Sequence, residues 1–261
     1  MFDGNFAELS ARIKERLAEN FAYIIGAGSY GIGKDISINS DIDFVLVVHN
    51  INYDEKRKIN SCFNELKDNY ALKIGGVVIS KIFLNAENPN LLTIDGKIIQ
   101  SIIEVNLGYQ KIFGCDNRDN LLPKFSESQI REFSFREAGN IYYMYTRIMT
   151  RENLSADVLE RILHLAIIIT KLTVQAHYKT CVTGQDILDE IKNRMPNDVA
   201  ARFNDIVRLK NNQDKYKMTN TDTLSAFFSL IDDHINSIQE SNVTLLALNA
   251  MDDTLDSYEK I

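Results

Sequence analysis

Two short groups of polar residues near the amino terminus have the types and the spacing that chemistry on phosphates requires. Asp41 and Asp43 are separated by one apolar residue, and eleven residues separate Gly28-Ser29 from Asp41. Side chains alternate between the two faces of a strand, so both carboxylates project to one side while Ile42 faces a core. Two carboxylates on one face repel each other unless a cation lies between them, and Mg²⁺ prefers oxygen ligands of this kind. We therefore expect Asp41 and Asp43 to be metal ligands and catalytic residues.

The Gly28-Ser29 pair complements the two aspartates. It follows FAYII at residues 21–25, an apolar run with the length and composition of a strand. A glycine at the end of a strand lets the backbone approach a phosphate, and free N–H groups and a serine hydroxyl bind phosphate oxygens. Lys34 and Ser40 lie in the same segment and join Gly28 and Ser29 as candidate nucleotide-binding residues.

The same segment also matches the G-x-G-x-x-G pattern of a dinucleotide-binding turn, through Gly26, Gly28 and Gly31. That turn must be followed at once by a crossover helix, and its acidic residue ends the next strand about 20 residues on. Only nine residues, 32–40, separate Gly31 from Asp41, and the acids begin their strand rather than end it. The spacing therefore favours phosphate and metal binding over dinucleotide binding.

The strand FAYII, the Gly28-Ser29 pair and the later Asp41-Ile42-Asp43 together resemble the signature of the polymerase-beta-like nucleotidyltransferase superfamily. The resemblance covers residues 21–44 directly and, through the order of elements, extends loosely over the first 115 residues. It implies an enzyme that uses Mg²⁺ to move a nucleoside monophosphate from an NTP to an acceptor hydroxyl.

The periodicity of apolar residues predicts an α+β fold in which a small mixed-sheet core is followed by an α-helical bundle. The core, residues 1–120, has predicted helices at 6–17, 53–70 and 97–114 and predicted strands at 21–25, 41–48 and within 72–84. The pair Gly75-Gly76 is expected to mark a bend or a hairpin break. The helical domain, residues 121–261, has predicted helices at 127–150, 155–179, 184–194, 197–210 and 222–248. Its size and layout are similar to those of antibiotic nucleotidyltransferases of the aminoglycoside and lincosamide type.

One departure from the superfamily pattern concerns a third carboxylate, which members usually carry on a later strand. The corresponding stretch, GGVVISKIFLN at residues 75–85, contains no Asp or Glu and offers Ser80 and Lys81 instead. Of the acids that follow, Glu87 and Asp95 are predicted to lie in loops and Glu104 in a helix. Two outcomes stay open: the ligand comes from elsewhere, or the chain is a catalytically weakened pseudoenzyme that binds a nucleotide or a partner.

Four residues near the start of the helical domain are further candidates. Glu137 is selected as a catalytic general base, because a carboxylate near the acceptor hydroxyl can take its proton. Tyr142, Tyr143 and Tyr145 either line a substrate cleft or belong to an aromatic core face, and the sequence leaves both interpretations open.

The charge of the chain bears on its partners. Asp and Glu number 36 against 29 Lys and Arg, which gives a net charge of -7. Such a balance disfavours a sequence-independent nucleic-acid binder, which needs a basic surface to displace counterions. It suits a small cationic acceptor such as an aminoglycoside, which an acidic pocket between the two domains would attract. Because aminoglycosides are antibiotics, an enzyme that modifies them is expected to confer antibiotic resistance. A toxin-like transferase that acts on RNA ends remains an alternative if basic residues converge on one face.

Other site classes are disfavoured. The four histidines and three cysteines form no zinc-ligand pattern. The amino terminus has no apolar segment of the signal-peptide type. The most apolar run, at residues 162–174, is shorter than the ~20 residues that a membrane span needs. We expect a cytoplasmic protein with no membrane partner, and the oligomeric state, a homodimer included, stays open.

Overall fold

A computed structural model describes residues 6–27, 42–70, 74–84, 94–115, 121–153, 155–178, 186–212 and 221–258. It divides into two compact units, Met1–Ser126 and Glu127–Ile261. The first unit contains a mixed four-stranded sheet and the second is helical in the residues described, which confirms the predicted α+β class. The predicted domain limits at residues 120 and 121 stay a prediction.

The first unit alternates helices and short strands. Its elements are α1 (Phe6–Leu17), β1 (Phe21–Gly26), β2 (Phe44–Val48), α2 (Tyr53–Tyr70), β3 (Val77–Ser80), α3 (Gly96–Asn106) and β4 (Ile112–Phe113). Short 3₁₀ turns follow α1 and β3, at Ala18–Asn20 and Lys81–Phe83.

The strands of the sheet run in the order β3-β2-β1-β4. β1 pairs antiparallel with β2 and with β4, whereas β2 pairs parallel with β3. All five residues of β2 are buried, as expected for a central strand that is covered on both faces. This topology brings the end of β1 and the starts of β2 and β3 to one edge of the sheet.

Helices cover the sheet with the apolar stripes that the sequence predicted. Leu9 and Ile13 of α1 are fully buried and belong to one cluster with β2 residues and with the inward face of α2. Phe44 is the centre of this cluster, since its ring makes edge contacts with Phe6 at 6.3 Å and Phe63 at 5.6 Å. Burial of each large apolar side chain stabilises the fold by about 1.5–3 kcal/mol.

The predicted helix over 97–114 is too long. The helix ends at Asn106, and Gly108 adopts a positive φ of 81° that breaks the helical path. Ile112 and Phe113 then form β4, paired with Ile25 and Ile24 of β1. The apolar character of Ile112 and Phe113 favours the predicted helix, but these residues belong to a two-residue strand.

The Gly75-Gly76 pair does not form a hairpin, because β3 is parallel to β2 with Val45 beside Val77. A Cβ added at Gly76 would lie 2.7 Å from the ring of Phe44. Glycine is therefore needed here for close packing between neighbouring strands.

The second unit consists of helices in all the parts that the structure describes. They are α4 (Glu127–Arg151), α5 (Ala156–Tyr178), α6 (Asp186–Arg194), α7 (Asn197–Asn211) and α8 (Thr221–Tyr258). α4, α5, α7 and α8 share one apolar core, which includes Leu163, Ile206 and Ile235. Within the described ranges, no helix has the length and apolar character needed to cross a membrane.

A histidine lies in the middle of this helical core. His234 is fully buried, and its Nε2 lies 2.9 Å from Oγ1 of Thr170. Because the Thr170 hydroxyl donates to the carbonyl of Ala166, it accepts from His234, which leaves Nδ1 as the unprotonated nitrogen. Burial lowers the pKa of His234 to about 4, and the charge of Arg202 adds to this effect.

The helical unit should lose stability as the pH falls from 6.5 to about 4. In this range His234 binds a proton in the unfolded chain, where its pKa is 6.5, but stays neutral in the folded protein, where its pKa is about 4. The loss amounts to about 3 kcal/mol at full protonation. Urea unfolding followed by circular dichroism at several pH values measures it. His234→Gln should flatten this dependence, whereas the exposed His164→Gln should retain it. An unchanged pH dependence in His234→Gln would refute the assignment.

Gly76→Ala should destabilise the first unit by about 1–3 kcal/mol, because the buried ring of Phe44 is held by Phe6 and Phe63 and cannot yield. Gly139→Ala is the matched control, since its added Cβ meets nothing within 4 Å on an exposed turn of α4. That change should stabilise the protein by about 0.5–1 kcal/mol. Urea unfolding midpoints compare the two, and shifts of the same sign would contradict the packing argument.

Candidate functional site

The candidate site lies at the sheet edge where β1 ends and β2 and β3 begin. The backbone N–H of Ala27 donates to the carbonyl of Asp43 at 3.2 Å, and that of Gly75 donates to the carbonyl of Ile42 at 3.0 Å. Ile42 also forms a parallel bridge with Ile74. Three chain segments that are distant in sequence are thereby fixed around Asp43.

Asp43 points away from the core that its two neighbours enter. Ile42 and Phe44 are fully buried, and alternation along an extended chain turns the side chain between them to the opposite side. The Asp43 side chain keeps 38% of its surface exposed. A carboxylate in this position is held by the sheet and open to ligands.

Lys97 binds this carboxylate. Its Nζ donates to Oδ1 of Asp43 at 2.6 Å and to the carbonyl oxygen of Gly75 at 2.7 Å. Lys97 lies in the first turn of α3, where the Asp95 side chain caps the helix by accepting from the Lys97 backbone N–H at 2.8 Å. The cap fixes the start of α3 and therefore the position from which the lysine reaches the sheet.

Gly75 makes room for this ion pair. A Cβ at position 75 would collide with Oδ1 of Asp43 and would lie 3.6 Å from Nζ of Lys97. Any larger residue there would displace the carboxylate. The sequence marked Gly75 as a structural break, and its proximity to Asp43 became visible only with the parallel register of β2 and β3.

Of the predicted site residues, the structure describes Asp43 and Glu137, while the five others lie outside the described residues: Gly28, Ser29, Lys34, Ser40 and Asp41. Glu137 belongs to α4 in the second unit, and its Oε2 accepts from Asn140 at 3.2 Å. Its predicted role as a general base is untested by this geometry. The predicted roles of all seven residues stay predictions.

The three tyrosines of α4 have different surroundings. Tyr145 is buried, and its hydroxyl donates to Asp232 at 2.7 Å, so it belongs to the helical core. Burial and this hydrogen bond raise the pKa of Tyr145 far above its usual range. Tyr142 stacks against Tyr145 at 6.3 Å, whereas 66% of Tyr143 is exposed. Of the three, Tyr143 is the one most open to solvent.

The polar residues that were considered as substitutes for a third carboxylate have other partners. The Ser80 hydroxyl is buried and donates to the carbonyl of His49 at 3.0 Å. Asp95 caps α3, and Glu104 accepts from Gln100 at 3.1 Å. Glu87 lies outside the described residues.

The oxygens around Lys97 fit a cation. Asp43 Oδ1 and the Gly75 carbonyl are hard oxygen donors of the kind that Mg²⁺ prefers, and both already bind a positively charged ammonium group. The described residues contain no group of three or more His, Cys, Asp or Glu side chains able to hold a metal ion. At this edge the described part of the chain offers the Asp43 carboxylate to a cation, and its role as a metal ligand stays a prediction.

Lys97 is the functional candidate that the sequence analysis missed. It lies 54 positions from Asp43, in a segment whose apolar periodicity indicates only a helix. The one available signal was a lysine in the first turn of a helix, where the helix dipole disfavours a cation. That signal indicates a specific partner without identifying it.

Comparisons with known proteins bear on the fold of this chain. No protein-family model and no curated protein matches this chain. Among solved structures, the chain is similar to spectinomycin adenyltransferase AAD(9) from Enterococcus faecialis, solved with ATP and spectinomycin, at a TM-score of 0.50 and 14% identity. The likeness covers 87% of this chain and 97% of that one. The chain thus shares the fold of this structure, with an α+β core and a helical region.

Proposed function

We propose that this protein is a nucleotidyltransferase that moves a nucleoside monophosphate from an NTP to an acceptor hydroxyl and releases pyrophosphate. One observation carries the proposal: the backbone of Ala27, directly before Gly28-Ser29, is hydrogen-bonded to Asp43. Ala27 directly precedes the Gly28-Ser29 half of the sequence motif and is hydrogen-bonded to Asp43 of the other half, which supports a single site for both.

The likeness in fold supports this proposal and suggests its substrates. The similar structure is that of an adenyltransferase solved with ATP and a small molecule, spectinomycin. We accordingly propose ATP as the first nucleotide to test and a small hydroxyl-bearing molecule as the acceptor.

The chain's own residues have separable roles in this proposal. Asp41 and Asp43 would hold Mg²⁺, which neutralises phosphate charge when bound. The Gly28 backbone and the Ser29 hydroxyl would hold the β- and γ-phosphates, with Lys34 and Ser40 nearby in sequence.

The transfer itself is a balanced displacement at the α-phosphorus. The acceptor oxygen forms a bond to that phosphorus, the bond from phosphorus to the bridging oxygen breaks, and pyrophosphate leaves with the electron pair. The acceptor's proton must go to a base, for which Glu137 is our candidate. Catalysis would come mostly from positioning and from neutralisation of charge.

A second candidate function is nucleotide binding without transfer. The observation that favours it is the ion pair between Asp43 and Lys97. In this pair a lysine of the chain itself neutralises the carboxylate that a catalytic metal ion would bind. The absence of Asp and Glu from residues 75–85 agrees with it.

Asp43→Asn should reduce pyrophosphate release by about 10²-fold or more, because the variant loses the charge that holds the metal and the transition state. Release is measured with ATP, Mg²⁺ and a panel of aminoglycosides, spectinomycin and lincosamides. Asp54→Asn, an exposed acid at the start of α2, is the matched control and should keep the activity. Full activity in Asp43→Asn would contradict the proposed role. Failure of the wild type to bind any NTP with Mg²⁺ would eliminate the function.

The acceptor should be a small cation rather than a neutral sugar, because the chain carries a net charge of -7. Its rate of modification should then fall as the ionic strength rises, since salt screens the attraction. Initial rates with aminoglycosides, neutral sugars and RNA ends at low and high salt measure this dependence. Modification restricted to neutral acceptors or RNA ends, or a rate insensitive to salt, would refute the charge argument.

A further inference from the structure

The contact between Lys97 and Asp43 is built by several independent features of the chain. α3 has 11 residues and begins at Gly96, so the side chain of Lys97 leaves from its first turn. Backbone N–H groups make this end of a helix partly positive, and a cation is disfavoured there. The lysine nevertheless stays at this end and binds two oxygens of the sheet edge.

Those two oxygens come from the segments that precede two different strands. Asp43 directly precedes β2, and Gly75 lies shortly before β3, while hydrogen bonding between Gly75 and Ile42 joins the two backbones. The missing side chain at position 75 lets the carboxylate approach. The Asp95 side chain caps the first turn of α3 by accepting from the Lys97 backbone N–H. The ammonium group of Lys97 thus occupies a position where the chain itself supplies two oxygen ligands for a cation.

This placement has a consequence for divalent ions. A metal ion bound by Asp43 must lie close to Nζ of Lys97, since both bind the same carboxylate, and the two positive charges repel each other. The negative charge that attracts the metal is also reduced by the lysine. In the absence of a nucleotide, the wild-type site should therefore bind divalent ions weakly.

A triphosphate changes this balance, because its oxygens attract both the metal ion and the lysine. We propose that Lys97 is the resident cation of the Asp43 site and makes the binding of a divalent ion depend on the nucleotide. The nucleotide half of this inference rests on the proposed function. The metal half rests on the chain's own residues alone.

The two ligands are then coupled. If the nucleotide raises the affinity for the metal by some factor, the metal raises the affinity for the nucleotide by the same factor. Removal of the lysine charge should raise metal affinity in the free protein and reduce the coupling factor.

The test measures Mn²⁺ binding to the full chain without nucleotide, through the electron paramagnetic resonance signal of free Mn²⁺. Lys97→Met should bind Mn²⁺ at least about tenfold more tightly than the wild type, because a like charge is removed from the site. Lys97→Arg keeps the charge and should bind as weakly as the wild type. Lys58→Met is the matched control, because Lys58 forms a 2.6 Å pair with Glu55 elsewhere in the same unit.

Two further measurements complete the test. Asp43→Asn added to Lys97→Met should abolish the gain in Mn²⁺ affinity. A nonhydrolysable ATP analogue should raise the Mn²⁺ affinity of the wild type by a larger factor than that of Lys97→Met. Circular dichroism verifies folding, and Lys97→Gln replaces Lys97→Met if the latter does not fold.

The outcomes separate this inference from the proposed function. Equal Mn²⁺ affinity in the wild type and Lys97→Met, or an equal gain in Lys58→Met, overturns the inference even if nucleotidyl transfer is active. Equal coupling factors in the wild type and Lys97→Met also overturn it. Failure of every variant to bind an NTP overturns the proposed function, while the Mn²⁺ measurement on the free protein still decides the role of Lys97.

Discussion

β2 is buried along its whole length, and its surroundings determine where the candidate functional residues lie. β1 and β3 pair with its two edges, while α1 and α2 contribute to the apolar cluster that it joins. An unpaired charge within such a strand would be strongly destabilising. Asp43 instead directly precedes the strand, where the backbone is fixed by its neighbours and 38% of the side chain stays exposed.

The site is assembled at this edge from segments that are far apart in the chain. The end of β1 brings Ala27 to Asp43 through a backbone hydrogen bond, and the parallel strand β3 brings Gly75. α3 adds Lys97 from a third segment. The described parts of the fold therefore position one carboxylate and one ammonium group close to Ala27, the residue that precedes Gly28-Ser29 in the chain.

Much of the first unit was predictable from local patterns. The spacing of apolar residues predicted α1 and α2, because a buried stripe of a helix shows as a periodic pattern in sequence. The run DIDFVLVV at residues 41–48 predicted a strand, and the observed β2 begins three residues later, at Phe44. The alternation of Ile42, Asp43 and Phe44 likewise predicted that the carboxylate faces away from the core. These features depend on residues a few positions apart.

Other features depend on contacts between distant segments and leave no local pattern. β4 has two residues, too few for any periodicity, and the same apolar residues fit a helix equally well. The tight packing of Gly76 depends on a phenylalanine of the neighbouring strand. The pairing of Lys97 with Asp43 depends on the start of α3 relative to the sheet, which the amino-acid sequence does not encode locally.

The central claim is that Asp43 and Gly28-Ser29 form one site for a metal ion and a triphosphate. A crystal structure with Mn²⁺ and a nonhydrolysable ATP analogue, with the metal located by anomalous scattering, tests it most directly. The account predicts Mn²⁺ bound to carboxylate oxygens of Asp41 and Asp43 and the terminal phosphates on the backbone of Gly28 and Ser29. A triphosphate bound elsewhere, with no metal at Asp43, would contradict it.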